Sequence, residues 1–104
     1  MKIILKNNDY LMQDLESIFR KEEDGAFLFD PKSGNLKYIN CMGVNIYQLC
    51  SGNRSVADIT SLIAENYRDI PERQIKEDIK NFLQDLIEMK FVTIQPQIHT
   101  DKRR

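Results

Sequence analysis

The chain has 104 residues, of which 30% are charged and 41% are hydrophobic, and its formal net charge is -1. A chain of this length builds one hydrophobic core and leaves no room for a deep cleft between two lobes, so an elaborate enzyme site is not expected. The balanced charge gives no basic field for nucleic acid, and the apolar run at residues 3–5 is too short for a membrane span or a secretory signal, which favours a cytoplasmic protein.

The first half of the chain predicts a small antiparallel sheet. Residues 17–21 are predicted as a strand, and the acidic segment that follows and ends in Gly25 has turn chemistry. Strands at residues 26–29 and 36–39 then flank a loop rich in proline, glycine and asparagine, which is typical of a tight turn. The last of these strands leads directly to a helix cap.

A first helix is predicted after this sheet. Asn40 is a suitable N-cap, the helix runs to about Cys50, and Gly52 stands where a left-handed C-terminal stop is expected. Gly43 lies inside this helix and costs about 1 kcal/mol relative to alanine, so it indicates a close approach of the backbone to a neighbour.

Two further helices complete the prediction. Ser55 caps the second, with Asp58 three residues later as a near-match to a capping box, and Tyr67 ends it. Pro71 suits the first position of the third and longest helix, which runs to about Lys90.

The third helix carries a wide apolar band: Ile75, Ile79, Phe82, Leu83, Leu86 and Ile87. The band is wider than one packing partner usually needs. It is either simply core, or it leaves one margin open as a groove. Lys76 and Lys80 lie four positions apart along one margin, and we expect them to steer an acidic peptide.

The two cysteines and the single histidine do not suggest a reactive site. Cys41 and Cys50 stand nine positions apart in one predicted helix, which places them on opposite faces and roughly 13 Å apart along the axis. They are therefore expected to be buried, reduced thiols that do not bridge. His99 lies in a polar tail, and no metal-ligand spacing or catalytic constellation is present, so neither a cofactor nor a metal is expected.

Strands followed by three helices also describe a winged-helix DNA reader. The third predicted helix, at residues 72–90, has four basic and five acidic residues, so it lacks the positive charge of a recognition helix. A peptide-binding module fits better, because an exposed strand edge at residues 36–39 offers unpaired backbone groups and the helix margin offers an apolar groove.

The chain also resembles a known family. The resemblance rests on the run at residues 20–31, followed by Ser33, Gly34, Ile39, Asn40, Gly43, Ile46, Leu49, Ser51, Gly52, Arg54, Ser55, Asp58 and Ile59. In their order and spacing these residues resemble the PqqD-like family: the pyrroloquinoline-quinone synthesis chaperone and related recognition elements for ribosomally synthesised, post-translationally modified peptides. The resemblance covers residues 18–92.

The resemblance implies an α+β, winged-helix-like fold, in which a short three-stranded antiparallel sheet is followed by a three-helix bundle. It implies a peptide chaperone without catalytic activity, which pairs a leader peptide antiparallel to the third strand and packs its apolar side chains on the last helix. The expected peptide-binding residues are Leu36, Lys37, Tyr38, Ile39, Ile75, Lys76, Ile79, Lys80 and Leu83.

The resemblance further implies delivery of the precursor peptide to a maturation enzyme, often a radical S-adenosylmethionine protein. A degenerate winged-helix transcriptional regulator and another kind of protein-interaction subunit stay open as alternatives. The expected organisation is an amino-terminal arm (1–16), the recognition domain (17–94) and a polar tail (95–104). The arm has no counterpart in the family and could block the strand edge, extend the sheet or mediate a dimer, so the chain is a monomer or a homodimer.

Overall fold

The computed structural model describes residues 4–95. Within that part of the chain it has six strands and three helices: β1 (Tyr10–Gln13), β2 (Ile18–Glu22), β3 (Gly25–Phe29), β4 (Leu36–Asn40), α1 (Cys41–Leu49), β5 (Ser51–Ser55), α2 (Val56–Asn66), α3 (Glu72–Glu88) and β6 (Val92–Gln95). The strands form two three-stranded antiparallel sheets, ordered β2-β3-β4 and β5-β1-β6. The predicted α+β fold of a three-stranded sheet with three helices is confirmed.

The sheet β2-β3-β4 is a meander built from local hairpins. A two-residue turn joins Glu22 to its pairing partner Gly25, and Phe29 pairs with Leu36 at the far end. The loop between β3 and β4 is fixed by Asp30, whose carboxylate accepts hydrogen bonds from the Lys32 amide (3.0 Å) and the Ser33 hydroxyl (2.9 Å). This sheet therefore follows from local sequence signals, as the alternation and turn residues predict.

The second sheet is not part of the sequence-based prediction. Its central strand β1 lies within the segment interpreted as an arm, and Leu11 on that strand is fully buried. Tyr10 pairs with both Ser55 and Gln95, so the strand joins distant parts of the chain. Pairing over such separations leaves no local signature, which is why the sequence does not reveal it.

The cap of α1 and its end near Cys50 are confirmed, but the predicted role of Gly52 differs. The Asn40 side chain accepts a hydrogen bond from the Gly43 amide (2.9 Å), while the helix ends at Leu49 with Cys50 as its C-cap. Gly52 has the expected positive φ of 93°, but it lies inside β5, where an added Cβ would meet Met12 Sδ at 3.3 Å. Gly52 therefore accommodates the irregular pairing of β5 with β1 and does not terminate a helix.

The other helix starts agree closely with the sequence. Ser55 and Asp58 form a reciprocal capping box at α2, with both hydrogen bonds at 3.1 Å. Pro71 is the N-cap of α3 and Glu72 is its first helical residue, so the helix begins one residue later than predicted. The polar tail predicted from residue 95 begins with the last residue of β6, and the rest of it, including His99, lies outside the described residues.

The core lies between the helices and the inner faces of the sheets. It contains fully buried side chains from most of the elements, among them Leu11, Leu28, Ile39, Ile46, Ile59, Ile63, Ile75, Ile79, Leu83, Leu86 and Phe91. The two cysteines behave differently. Cys50 is buried as predicted, whereas the prediction for Cys41 is wrong, because the first residue of α1 points its thiol outward, towards the Asp24 carbonyl (3.5 Å).

Candidate functional site

Strand β4 has an open edge. Within residues 4–95 it pairs only with β3, so the backbone groups on its other side have no partner strand. An open strand edge is a template for a further strand, because its N–H and C=O groups still need hydrogen bonds. This part of the sequence-based prediction corresponds to the geometry.

The hydrogen-bonding pattern identifies which β4 residues face that edge. Asp30 N–H donates to the Asn35 carbonyl at 2.9 Å, which makes this pair a hydrogen-bonded one. Bonded and non-bonded pairs alternate along an antiparallel ladder, so Lys37 and Ile39 also bond to β3. The backbone groups of Leu36 and Tyr38 consequently face the open edge.

The C-terminal half of α3 runs alongside β4 in the opposite direction. The Asn35 side chain donates to the Met89 carbonyl at 3.3 Å. Farther along, a Cβ built on Gly43 would lie 3.0 Å from Phe82 and 3.1 Å from Ile39, so these three groups meet closely. The close approach that Gly43 predicted is confirmed, and it fixes α3 against the end of β4.

The α3 margin beside β4 carries apolar and acidic side chains in turn. Each helical residue advances about 100°, so Met89, Asp78 and Asp85 lie about 20°, 40° and 60° to one side of Phe82 around the axis. The buried core residues of α3 lie to the other side of Phe82. Phe82 and Met89 are half-buried, and both aspartates are exposed. We call these four residues the β4-facing margin. Phe82 belongs to the apolar band noted in the sequence, but neither it nor Met89 was expected to bind peptide.

Three of the expected helix residues lie on the core side of Phe82, within about 100° of it around the axis. Ile75, Ile79 and Leu83 are 0% exposed and belong to the hydrophobic core. In this conformation a peptide on the surface cannot touch them. The apolar band on α3 is thus mostly core, and its periodicity alone does not reveal which margin faces β4.

The two lysines are also distant from the β4-facing margin. Lys76 is exposed and Lys80 is half-buried. Around the helix they stand about 120° and 160° from Phe82. They flank the opposite side of α3, so the structure does not bring them together with the β4 edge, and their steering role stays a prediction.

The outer face of the sheet β2-β3-β4 is apolar and uncovered within the described residues. Five large side chains are 36% to 59% exposed there: Ile18, Phe27, Phe29, Leu36 and Tyr38. The Phe27 and Tyr38 rings pack edge to face with centroids 5.4 Å apart, and the Tyr38 hydroxyl donates to the Asp24 carbonyl (2.8 Å). A shallow depression of about 430 Å³ runs over this face beside Arg20 and Glu22.

Two buried titratable groups have strongly raised pKa values. Burial raises the pKa of both Cys50 and Tyr47 to about 12, so both stay protonated at neutral pH. The Ser33 hydroxyl, followed by the Lys32 amide, lowers the pKa of Asp30, which is consistent with a loop-fixing carboxylate. Residues 4–95 contain no group of three or more side chains placed to hold a metal ion. In the same range no helix is both long and apolar enough to cross a membrane.

Comparison with known proteins identifies one family and a shared fold. The family model described as coenzyme PQQ synthesis protein D (PqqD) matches residues 25–92, which is more than half of the chain. No curated protein matches this chain in sequence.

Three solved structures are similar. TbiB1 in complex with the TbiA(beta) leader peptide is 15% identical with a TM-score of 0.68, covering 85% of this chain and 99% of that one. Lasso peptide synthetase B1 complexed with the leader peptide is 20% identical with a TM-score of 0.69 (80% and 96%). The PqqD truncation of Methylobacterium extorquens PqqCD, described as a functional and stand-alone RiPP recognition element, is 19% identical with a TM-score of 0.70 (86% and 94%).

Proposed function

Because this chain belongs to the PqqD family, we propose that it is a recognition element that binds the leader segment of a ribosomally synthesised precursor peptide. The observation that carries the proposal is the open edge of β4 beside the C-terminal half of α3. Two of the similar structures are complexes with leader peptides, which supports the same role for this fold.

In the proposed complex the leader adds a strand to β4. Its backbone bonds to the outward-facing groups of Leu36 and Tyr38, and each bond contributes about 0.5–1.5 kcal/mol net. Side chains on the inner side of the leader pack against Phe82 and Met89, which are half-buried in the free protein. The core residues Ile75, Ile79 and Leu83 support this wall from beneath without touching the leader.

The chain itself performs no catalysis in this proposal. The Cys50 thiol is buried and protonated, and the described residues provide no metal site. The bound precursor is instead presented to a separate peptide-modifying enzyme in the cytoplasm, for which a radical S-adenosylmethionine protein is our candidate. Micromolar or tighter binding corresponds to about 8 kcal/mol, which a few backbone bonds and apolar contacts can supply.

Proline substitution tests the proposed edge. Tyr38→Pro removes an N–H that faces the guest, whereas Lys37→Pro removes one that bonds to β3. We expect Tyr38→Pro to stay folded and to weaken peptide binding by about tenfold or more, equivalent to about 1.4 kcal/mol. Lys37→Pro should instead lower the thermal midpoint of unfolding.

The control is Tyr38→Ala, which removes the ring but keeps the N–H. Binding is measured by calorimetry with peptides recovered from a displayed random library by selection on the wild-type protein. The proposal fails if a folded Tyr38→Pro binds these peptides as tightly as Tyr38→Ala does, or if the wild-type protein selects no peptide at all.

A further inference from the structure

We infer that the leader is also recognised on the outer face of the sheet, through an apolar side chain that lies beside Leu36. This inference rests on the proposed strand addition at β4. It assigns the outer face to one occupant, the outward-facing side chains of the same guest strand.

The register of the sheet places its outer side chains in two rows. Ile18, Phe29 and Leu36 are cross-strand partners in one row, and Arg20, Phe27 and Tyr38 are partners in the other. Successive side chains on a strand point to opposite faces, so a guest strand on β4 also sends every second side chain to this face. One of them then stands directly opposite Leu36.

The spacing between paired strands brings the guest side chain into contact with Leu36. Directly opposite residues on neighbouring strands have Cβ atoms about 4.5–5.5 Å apart, which is side-chain contact. Leu36 is the most exposed member of its row, at 59%, against 37% for Phe29, and it stands at the open edge. A guest side chain at this position extends an existing apolar row, and it covers the flank of Leu36 that no described residue shields.

The chemistry of the row sets the class of guest residue. A β-branched or aromatic side chain fits beside Leu36, because these residues favour strands and extend the apolar row. The adjacent guest residues point the other way, towards Phe82 and Met89. The guest is therefore apolar on both faces over this stretch, and its recognition segment contains consecutive apolar residues instead of a strict alternation with polar ones.

Introducing a negative charge at Leu36 tests the inference, because it should change which peptides bind to the protein. A displayed random-peptide library is selected separately on the wild-type protein, on Leu36→Glu and on Ile18→Glu. Both sites are largely exposed, at 59% and 51%, so both variants should fold. Ile18→Glu is the matched control, because it adds the same charge to the same row at the edge away from β4.

We expect wild-type and Ile18→Glu to enrich consecutive apolar residues, and Leu36→Glu to enrich Lys or Arg at one position between apolar neighbours. A wild-type-selected peptide should bind Leu36→Thr about two- to fivefold more weakly than wild-type, in proportion to the loss of one cross-strand pair. Unchanged enrichment on Leu36→Glu would overturn the inference, and so would an equal shift on Ile18→Glu. If Tyr38→Pro still abolishes selection in that case, the proposed strand addition stands and only the outer-face contact fails.

Discussion

The two sheets of this protein differ in how far their apolar side chains are exposed to solvent. Among residues 4–95 the sheet β2-β3-β4 exposes five large apolar side chains on one face, whereas no strand of β5-β1-β6 has one exposed. The first sheet forms from adjacent hairpins, and the second joins strands from both ends of the described chain and its middle. We therefore propose that the second sheet stabilises the fold, whereas the first sheet provides the peptide-binding edge.

The largest expected difference between the sheets is in stability. Leu11→Ala, in the centre of β5-β1-β6, removes a fully buried side chain and should lower the free energy of unfolding by about 2–5 kcal/mol. Leu36→Ala, in the exposed face of the other sheet, should change it by less than about 0.5 kcal/mol. Urea denaturation monitored by circular dichroism measures both. Similar losses of unfolding free energy from the two substitutions would contradict the proposed difference between the sheets.

A smaller loss is expected where α1 meets α3. Gly43→Ala places a Cβ 3.0 Å from the Phe82 ring and 3.1 Å from Ile39, so these side chains must move by a few tenths of an ångström. Overpacking of this kind costs about 1–3 kcal/mol, more than the gain in helix propensity returns. Asn45→Ala, at an exposed site on the same helix, is the control and should not destabilise. If Gly43→Ala proves as stable as wild-type, Phe82 does not lie against α1 as described.

The smallest expected effect concerns the reactivity of the two cysteine thiols, which is measured on the wild-type protein. Cys41 is exposed beside the sheet β2-β3-β4, and Cys50 is buried next to β5. Burial raises the pKa of the Cys50 thiol to about 12, so the reactive thiolate is scarce below that pH. A disulfide reagent at neutral pH should modify one thiol per folded chain and two after unfolding in urea. Rapid reaction of both thiols in the folded protein would contradict the burial of Cys50.

Local signals in the sequence are sufficient for much of the fold. The hairpins, the Asn40 cap and the Ser55 capping box all depend on residues within a few positions of each other, and all three are confirmed. The second sheet could not be found in this way. Its strand β5 reads Ser-Gly-Asn-Arg-Ser, which has turn-like composition and becomes a strand only through its partner β1.

The candidate site was only partly accessible to sequence reasoning. The edge strand β4 could be found from its hairpin, but the position of α3 relative to that edge depends on tertiary packing. The helical period placed Ile79 and Phe82 in one apolar band without showing that the first is core and the second faces β4. Gly43 was the one local indication of a close contact, but it does not indicate which residue lies opposite.

The most direct measurement of the central claim is amide hydrogen exchange along β4, followed by NMR. In the free protein the Leu36 and Tyr38 amides should exchange rapidly, whereas those of Lys37 and Ile39 should be protected by their bonds to β3. Addition of a selected peptide should then protect Tyr38. Protection of Tyr38 in the free protein would show that the edge is already occupied, and its continued rapid exchange in a saturated complex would show that the peptide binds elsewhere.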